Sequence, residues 1–200
     1  MPILSQNLIL SRCPHCSVAN PNLFIIQHFE TNNHEANRLR RWGAYRCSTC
    51  GGVVTAWAPQ VGGEVVEVFP SPPTIQTDLP DRPRAFLQQA LNSIHAPSGA
   101  VMLAASAVDA MLKLKNYVEG SLYSRIEKAA TDHLITREMA QWAHEVRLDA
   151  NDQRHADQAA ALPDEEDAKR AIDFASALAD FLFVLPSRVE RGIARTSQAE

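Results

Sequence analysis

The chain has no excess of positive charge, no glycine-rich phosphate loop and no Gly-x-Ser-x-Gly nucleophile elbow. Its 19 Lys and Arg residues stand against 23 Asp and Glu residues, and this net charge of −4 argues against general coating of nucleic acid. No basic leader precedes the short apolar run at residues 8–10, so no signal peptide is expected. The apolar stretch over 174–185 is short for a membrane span and contains Asp180. These absences predict a cytoplasmic protein without a membrane segment.

Cysteine is scarce, and all four cysteines fall in two Cys-x-x-Cys pairs, Cys13/Cys16 and Cys47/Cys50. The 30 residues between the pairs can form a β-hairpin that brings them together. Four thiolates in this arrangement suit tetrahedral Zn²⁺, and the Gly51-Gly52 pair permits the left-handed backbone that such a turn often needs. Two disulfides or redox chemistry are the alternative, which a reducing cytosol disfavours. The sequence therefore predicts a structural Zn²⁺ ion held by all four cysteines.

The pattern of the chain changes at a proline-rich segment, which predicts an α+β protein. Residues 1–69 read as a four-cysteine zinc ribbon with short strands over 23–29, 44–46, 53–58 and 64–69, while 32–41 is a loop or a short helix. Metal binding and folding should be coupled in so small a unit. Residues 70–80 are a linker, residues 81–190 an all-α bundle of about five helices, and residues 191–200 a C-terminal tail.

Apolar spacing and capping residues define the predicted helices. They cover 82–95, 99–117, 122–133 and 137–156, and a fifth helix opens after Pro163-Asp164 and ends at Pro186. Ser98, Ser121 and Thr136 are the expected N-caps of the second, third and fourth helices. The second helix is almost wholly apolar, so it should be the most buried one. Short connections predict antiparallel neighbours.

Charge is distributed unevenly between the two parts. Residues 1–60 have five Arg and two Glu, a net +3, whereas residues 61–200 have a net −7. One basic and aromatic cluster lies on the ribbon and contains Arg38, Arg40, Arg41, Trp42, Tyr45 and Arg46. Two interpretations remain open: the cluster contacts phosphates and stacks on bases, or it is a solvated loop over a small core.

A polar line on the fourth helix is the candidate chemical site. Arg147, Asn151 and His155 recur every four residues and therefore share one helix face. Arg147 can hold a phosphate, His155 can move a proton near neutral pH, and Asn151 can orient either group. Together they suit metal-independent RNA cleavage. A structural role is the alternative, in which the same line ties the helix to the 156–163 loop and to Asp149, Asp157 or Asp164.

The helical part, about residues 70–190, resembles the domain-of-unknown-function 4145 family. The resemblance rests on Leu-x-x-x-Ile at 122–126, on Trp142-x-x-x-x-Arg147 followed by Ala150-Asn151 and His155, on the acidic turn at 165–167 and on Leu185-Pro186-x-Arg188. That family is similar to the higher-eukaryote-and-prokaryote nucleotide-binding (HEPN) superfamily. Many members of this superfamily are RNases of toxin, phage-defence and RNA-processing systems.

The resemblance implies an HEPN-like dimer in which Arg147 and His155 meet across the interface, with Asn151 in support. Three departures weaken the implication of catalysis. Seven residues separate Arg147 from His155, Ala150 stands where the family often has Gly, and no Arg accompanies Asp109 in the second helix.

Two functions are compatible with these features, so the sequence does not decide whether the protein is an enzyme. The first is an RNase or nucleic-acid-processing module with the ribbon as an accessory element. The second is a non-catalytic module in which the bundle forms a homodimer and the ribbon recruits a protein partner. The Arg–Asn–His line favours the first, and the acidic helical part favours the second.

Overall fold

The computed structural model describes residues 2–72, 75, 78–155 and 161–197. The chain folds as two compact units, Met1–Pro73 and Thr74–Glu200, which we call the ribbon unit and the helical unit. The first contains an antiparallel sheet and the second contains helices, so the predicted α+β fold class is confirmed.

The ribbon unit is built on one five-stranded antiparallel sheet with the strands in chain order. They are β1 (Asn7–Leu8), β2 (Leu23–Thr31), β3 (Arg40–Cys47), β4 (Val53–Ala58) and β5 (Glu67–Phe69). The predicted strand over 53–58 has the observed bounds. The segment 32–41 forms a turn and then enters β3 at Arg40, so it contains no helix. Two-residue β1 is too short to give a sequence pattern.

Alternation along β3 and β4 gives the sheet one buried face and one open face. Val54, Ala56 and Ala58 of β4 are fully buried, while the residues between them are only partly covered. On β3 the buried Tyr45 lies over Gly43, whose missing side chain leaves room for the ring, and Tyr45 Oη donates to the Ser5 carbonyl at 2.9 Å. The buried face therefore forms the small core of the unit.

The first helix of the helical unit begins at Asp81. Its elements are α1 (Asp81–Asn92), α2 (Pro97–Leu114), α3 (Leu122–Thr131), α4 (Arg137–His155), α5 (Glu165–Ala179), a π-helical turn (Asp180–Val184) and α6 (Leu185–Ser197). The central helix is α2, with nine buried residues, as the sequence predicts. By length and mean hydropathy, 1.2, α2 could also cross a membrane, but half of it is buried inside the bundle, as expected of a core helix.

Local capping chemistry sets three of the helix starts. Ser121 and Thr136 accept from the backbone N–H groups of Ser124 and Met139, and Asp164 forms a capping box with Asp167. The prediction that Ser98 caps α2 is wrong. Pro97 already occupies the first turn, and Ser98 Oγ instead donates to Gln153 Oε1 of α4 at 2.8 Å.

The predicted helix end at Pro186 and the predicted tail from residue 191 are also wrong, because the helix continues to Ser197. Proline has no N–H to offer to the carbonyl one turn back. The π-helical turn makes this tolerable: the Leu185 N–H donates to the Asp180 carbonyl, and Pro186 falls in the first turn of α6.

Candidate functional site

The four cysteines converge at one end of the ribbon sheet. Their Sγ atoms all lie within 4.8 Å of one another, and Cys13 Sγ is 4.0 Å from Cys50 Sγ. Four sulfurs at about 2.3 Å from a tetrahedral ion would be about 3.8 Å apart. The cluster is thus close to the spacing that one metal ion would impose. It can hold a metal ion, as the sequence predicts, and Cys13 and Cys47 are fully buried.

Each Cys pair sits in a turn of the same construction. The Ser17 N–H donates to the Cys13 carbonyl and the Gly51 N–H donates to the Cys47 carbonyl, both at 2.9 Å. Of the Gly51-Gly52 pair, Gly51 is the left-handed residue, with a φ of 74°, and Ser17 has a φ of 55° at the equivalent position. Burial opposes ionisation of Cys47, but hydrogen bonds from the backbone N–H groups of Cys50 and Thr49, together with those from the Cys13 and Cys50 thiols, lower the pKa of the Cys47 thiol to about 7.

His15 links the two turns rather than acting as a ligand. Its Nε2 lies 2.8 Å from the Val53 carbonyl oxygen, and its ring occupies the space that a side chain at Gly52 would need. Arg12 Nη1 donates to the Ser17 carbonyl at 2.7 Å, so this guanidinium closes the first turn. The shape of the cluster is therefore fixed by contacts outside the thiols.

A groove of about 730 Å³ opens on the helical unit, between residues of α1, α2, α3 and α4. Its charged lining consists of Arg82, Lys113, Arg125, Arg147 and Asp109. This local excess of cations contrasts with the unit as a whole, where from residue 74 onward 14 Lys and Arg residues face 19 Asp and Glu residues. The groove therefore favours an anionic ligand.

The one carboxylate in this lining is fully engaged. Asp109 Oδ1 accepts from Arg125 Nη1 at 2.5 Å, and Asp109 Oδ2 accepts from Lys113 Nζ at 2.6 Å. The guanidinium of Arg125 also donates to the Val118 and Gly120 carbonyls. Asp109 thus has an Arg partner on α3, although its own helix contains no Arg. The side chain of Arg125 therefore has a structural role.

Arg147 is placed differently. Its Nε is buried and has no hydrogen-bond partner among the described residues, where the side chain also makes no ion pair. Its guanidinium carbon lies 5.4 Å from the ring centroid of Tyr123. A buried donor without an acceptor is costly unless a ligand or water completes it. Among the lining residues, Arg147 is therefore the one whose unpartnered donor an anionic ligand would best satisfy.

The structure brings only two of the three predicted site residues into the groove. Asn151 is exposed and lines it beside Arg147. His155 is the last residue of α4, exposed and outside the lining. The eight-residue step from Arg147 to His155 is about 12 Å along the helix axis. One copy of the chain therefore does not bring both groups to one small ligand in this geometry.

The alternative role of the line, a tie to the 156–163 loop and to nearby carboxylates, stays a prediction, because most of that loop lies outside the described residues. Arg147 makes no hydrogen bond to Asp149, and the Asp164 carboxylate is used to cap α5. Asp157 lies outside the described residues. Burial raises the pKa of Asp149, which the neighbouring Asp167 raises further.

Sequence reasoning missed the groups that surround Arg147. The ring of Tyr123 packs against that of His144 in a tilted arrangement, with centroids 4.7 Å apart, and His144 Nε2 lies 2.7 Å from Glu127 Oε1. Tyr123 and Glu127 are one helical turn apart on α3, and His144 and Arg147 have the matching spacing on α4. That double i, i+3/i+4 spacing was the available signal, but it identifies a site only once the two helices are known to pack together.

The comparison with protein families decides the affiliation of this helical unit. The model of the family described as "Domain of unknown function (DUF4145)" matches residues 87–196, more than half of the chain. The chain belongs to this family. The match confirms the family predicted from the motifs, and it takes in every groove residue named above except Arg82. Among curated proteins and among solved structures, no significant match was found for this DUF4145 member.

Proposed function

We propose that this DUF4145 protein is a zinc-containing, RNA-associated protein whose helical groove holds an RNA phosphate. The observation that carries the proposal is Arg147, a cation at the groove wall with a buried, unpartnered Nε–H. Arg82 adds a second guanidinium without a carboxylate partner among the described residues, and Asn151 adds an amide. A phosphate accepts hydrogen bonds from several donors at once, which matches this set.

Zn²⁺ is the metal that we propose for the cysteine cluster. Thiolate-only ligand sets select soft or borderline ions, and a closed set of four cysteines is typical of structural zinc. The buried Cys13 and Cys47 leave little room for a substrate at the ion. The metal would therefore stabilise the ribbon unit and take no part in RNA chemistry.

Cleavage of the bound RNA is the specific activity that we propose to test. In such a reaction the 2′-oxygen attacks phosphorus as its proton passes to His155, and the 5′-oxygen leaves and takes a proton from solvent. Arg147 would stabilise the charge on the phosphate. Because about 12 Å of helix separates the two residues, we propose that His155 of a second copy serves the phosphate held by Arg147. Cleavage would then require a homodimer.

Arg147→Ala should weaken RNA binding about 10-fold or more, because a charge-assisted contact is lost while no ion pair among the described residues is broken. The measurement is titration of labelled tRNA, with cleavage followed in EDTA and zinc content checked afterwards. His155→Ala should abolish cleavage and leave the melting temperature unchanged, since His155 is exposed.

Exposed Arg137 on the same helix provides a matched control, and Arg137→Ala should change neither binding nor cleavage. Undiminished binding by Arg147→Ala would refute the groove as the RNA site. Binding without cleavage in wild-type protein would leave RNA binding as the function and remove the catalytic role of His155.

A second candidate function, a homodimerising interaction module, is favoured by an apolar stripe near the C-terminal end. Phe181, Leu185 and Val189 recur every four residues and are 41%, 54% and 52% exposed. Equal stripes on two copies are self-complementary about a twofold axis, which is the commonest symmetry of oligomers. In this second candidate function, we propose that the stripe joins two copies.

Replacing both Leu185 and Val189 with Glu should convert a dimer into a monomer, because paired stripes would then bring carboxylates together in an apolar contact. Light scattering after gel filtration measures the mass. Leu162 is 83% exposed outside the stripe, so Leu162→Glu is the control and should stay dimeric. A monomeric wild-type protein at micromolar concentration would contradict the proposal.

A further inference from the structure

The open face of the ribbon sheet presents a row of aromatic rings. Phe29, Trp42 and Trp57 are directly opposed partners on β2, β3 and β4. The ring centroids of Phe29 and Trp42 are 5.9 Å apart, and those of Trp42 and Trp57 are 6.3 Å apart. The ring centroid of Phe69, on β5, is 6.0 Å from that of Trp42. Phe29 and Phe69 are 39% and 45% exposed, so the row is accessible surface.

Two guanidinium groups lie on the same face. Arg40 Cζ is 4.4 Å from the ring centroid of Trp57, and Arg46 Cζ is 4.7 Å from that of Phe24. Neither Arg has a carboxylate partner within the described part of the ribbon unit. We call Phe29, Trp42, Trp57 and Phe69 together with Arg40 and Arg46 the aromatic face.

Hydrogen bonds hold both indoles of the aromatic face in place. Trp42 Nε1–H donates to Thr31 Oγ1 at 2.8 Å, and Trp57 Nε1–H donates to Glu67 Oε2 at 2.8 Å. With their N–H groups already satisfied, the indoles offer flat apolar surface rather than a polar edge. Rings fixed in this way lose little conformational entropy when a ligand binds.

We propose that the aromatic face binds single-stranded nucleic acid, with bases stacked on the indoles and phosphates held by Arg40 and Arg46. Bases offer a π-face to each ring, and the flanking phosphates complement the unpaired guanidinium groups. The argument for nucleic acid is this local pairing of rings with cations, since the ribbon unit as a whole has five Arg against four Glu. An aliphatic peptide segment would match the rings but would leave both cations without a counter-charge.

The aromatic face is distinct from the helical groove, so a result that refutes one proposal does not refute the other. Duplexes hide their bases inside the stack, so the aromatic face should discriminate strongly against double-stranded ligands. Its affinity should fall with salt, because each phosphate contact releases a counterion.

The test is titration of the full chain with a single-stranded oligonucleotide of about 12 nucleotides and with its duplex. Trp42 and Trp57 are two of the three tryptophans, so quenching of intrinsic fluorescence reports contact with the face. Trp42→Ala should weaken binding about 10-fold or more, and Trp42→Phe should restore most of it because a ring remains.

Arg40→Ala should weaken binding and lower the salt dependence by about one phosphate contact. Arg137→Ala removes the same charge from an exposed position on α4, outside the aromatic face, and should leave both unchanged. Failure of single strands to bind, equal binding of the duplex, or an affinity that Trp42→Ala leaves intact would each overturn the proposal. Arg147→Ala, measured in parallel, tests the groove alone and should leave quenching at the aromatic face unchanged.

Discussion

Replacing Cys47 with Ser should abolish zinc binding and unfold the ribbon unit. Cys47 is fully buried and belongs, together with Cys13, to a core of ten buried residues. A core of this size stabilises a unit of about 70 residues only weakly, whereas structural zinc contributes about 10 kcal/mol or more in small zinc-binding domains. Loss of one thiolate should therefore remove most of the free energy that stabilises the folded ribbon unit. Elemental analysis should find about one zinc per wild-type chain and almost none in Cys47→Ser.

The accompanying change in fold is visible in the tryptophans of the sheet. Trp42 and Trp57 should shift their emission toward that of exposed indole, while the helical circular dichroism signal persists if the helical unit folds separately. Thr49→Ala alters the same turn at an exposed side chain and is the matched control, which should keep its zinc. A wild-type mass four hydrogens lower, with no metal, would instead indicate two disulfides.

Features encoded over short distances could be predicted from the sequence. The cysteine pairs follow from spacing, and the starts of α3, α4 and α5 follow from Ser121, Thr136 and Asp164, because each cap is a hydrogen bond within three residues. The end of the last helix could not be predicted in this way. A proline ends a regular helix, and only the π-helical turn before Pro186 removes the conflict.

The sequence pattern of the basic and aromatic cluster did not reveal which of its residues share a face of the sheet. Trp42 and Tyr45 are three residues apart, so on a strand they point to opposite faces. Tyr45 is buried in the core, and Arg41 pairs with Glu30 instead of joining Arg40 on the aromatic face. The prediction of a loop or a short helix over 32–41 leaves out the start of β3, so it does not show which side chains share a face of the sheet.

The groove was unpredictable for a different reason, since its lining comes from four helices that are distant in sequence. The motif located Arg147 and Asn151, but Tyr123, Lys113 and Arg125 carry no motif of their own. Asp109 is the clearest example: besides Lys113 on its own helix, it pairs with Arg125, which lies 16 residues later on α3. The contact with Arg125 exists only because α2 packs on α3, so the sequence around Asp109 does not reveal it.

Arg125→Ala should lower the free energy of unfolding of the helical unit by about 2–4 kcal/mol. Only 12% of the Arg125 side chain and 23% of the Asp109 side chain are exposed, so water replaces the lost contacts poorly. The substitution leaves Asp109 with Lys113 alone and leaves the Val118 and Gly120 carbonyls without this donor. Urea unfolding followed at 222 nm measures the change.

Three comparisons separate the ion pair from the carbonyl contacts. Arg125→Lys retains a charge for Asp109 but cannot reach both carbonyls, so it should fall between wild type and Arg125→Ala. Combining Arg125→Ala with Asp109→Ala should cost less than the sum of the single changes, because no buried carboxylate is stranded. Lys128→Ala breaks the exposed pair with Asp132 and should have a far smaller effect. If Arg125→Ala were no more destabilising than Lys128→Ala, the Asp109–Arg125 pair would not hold α3 against α2, and the wall of the groove would need another source of rigidity.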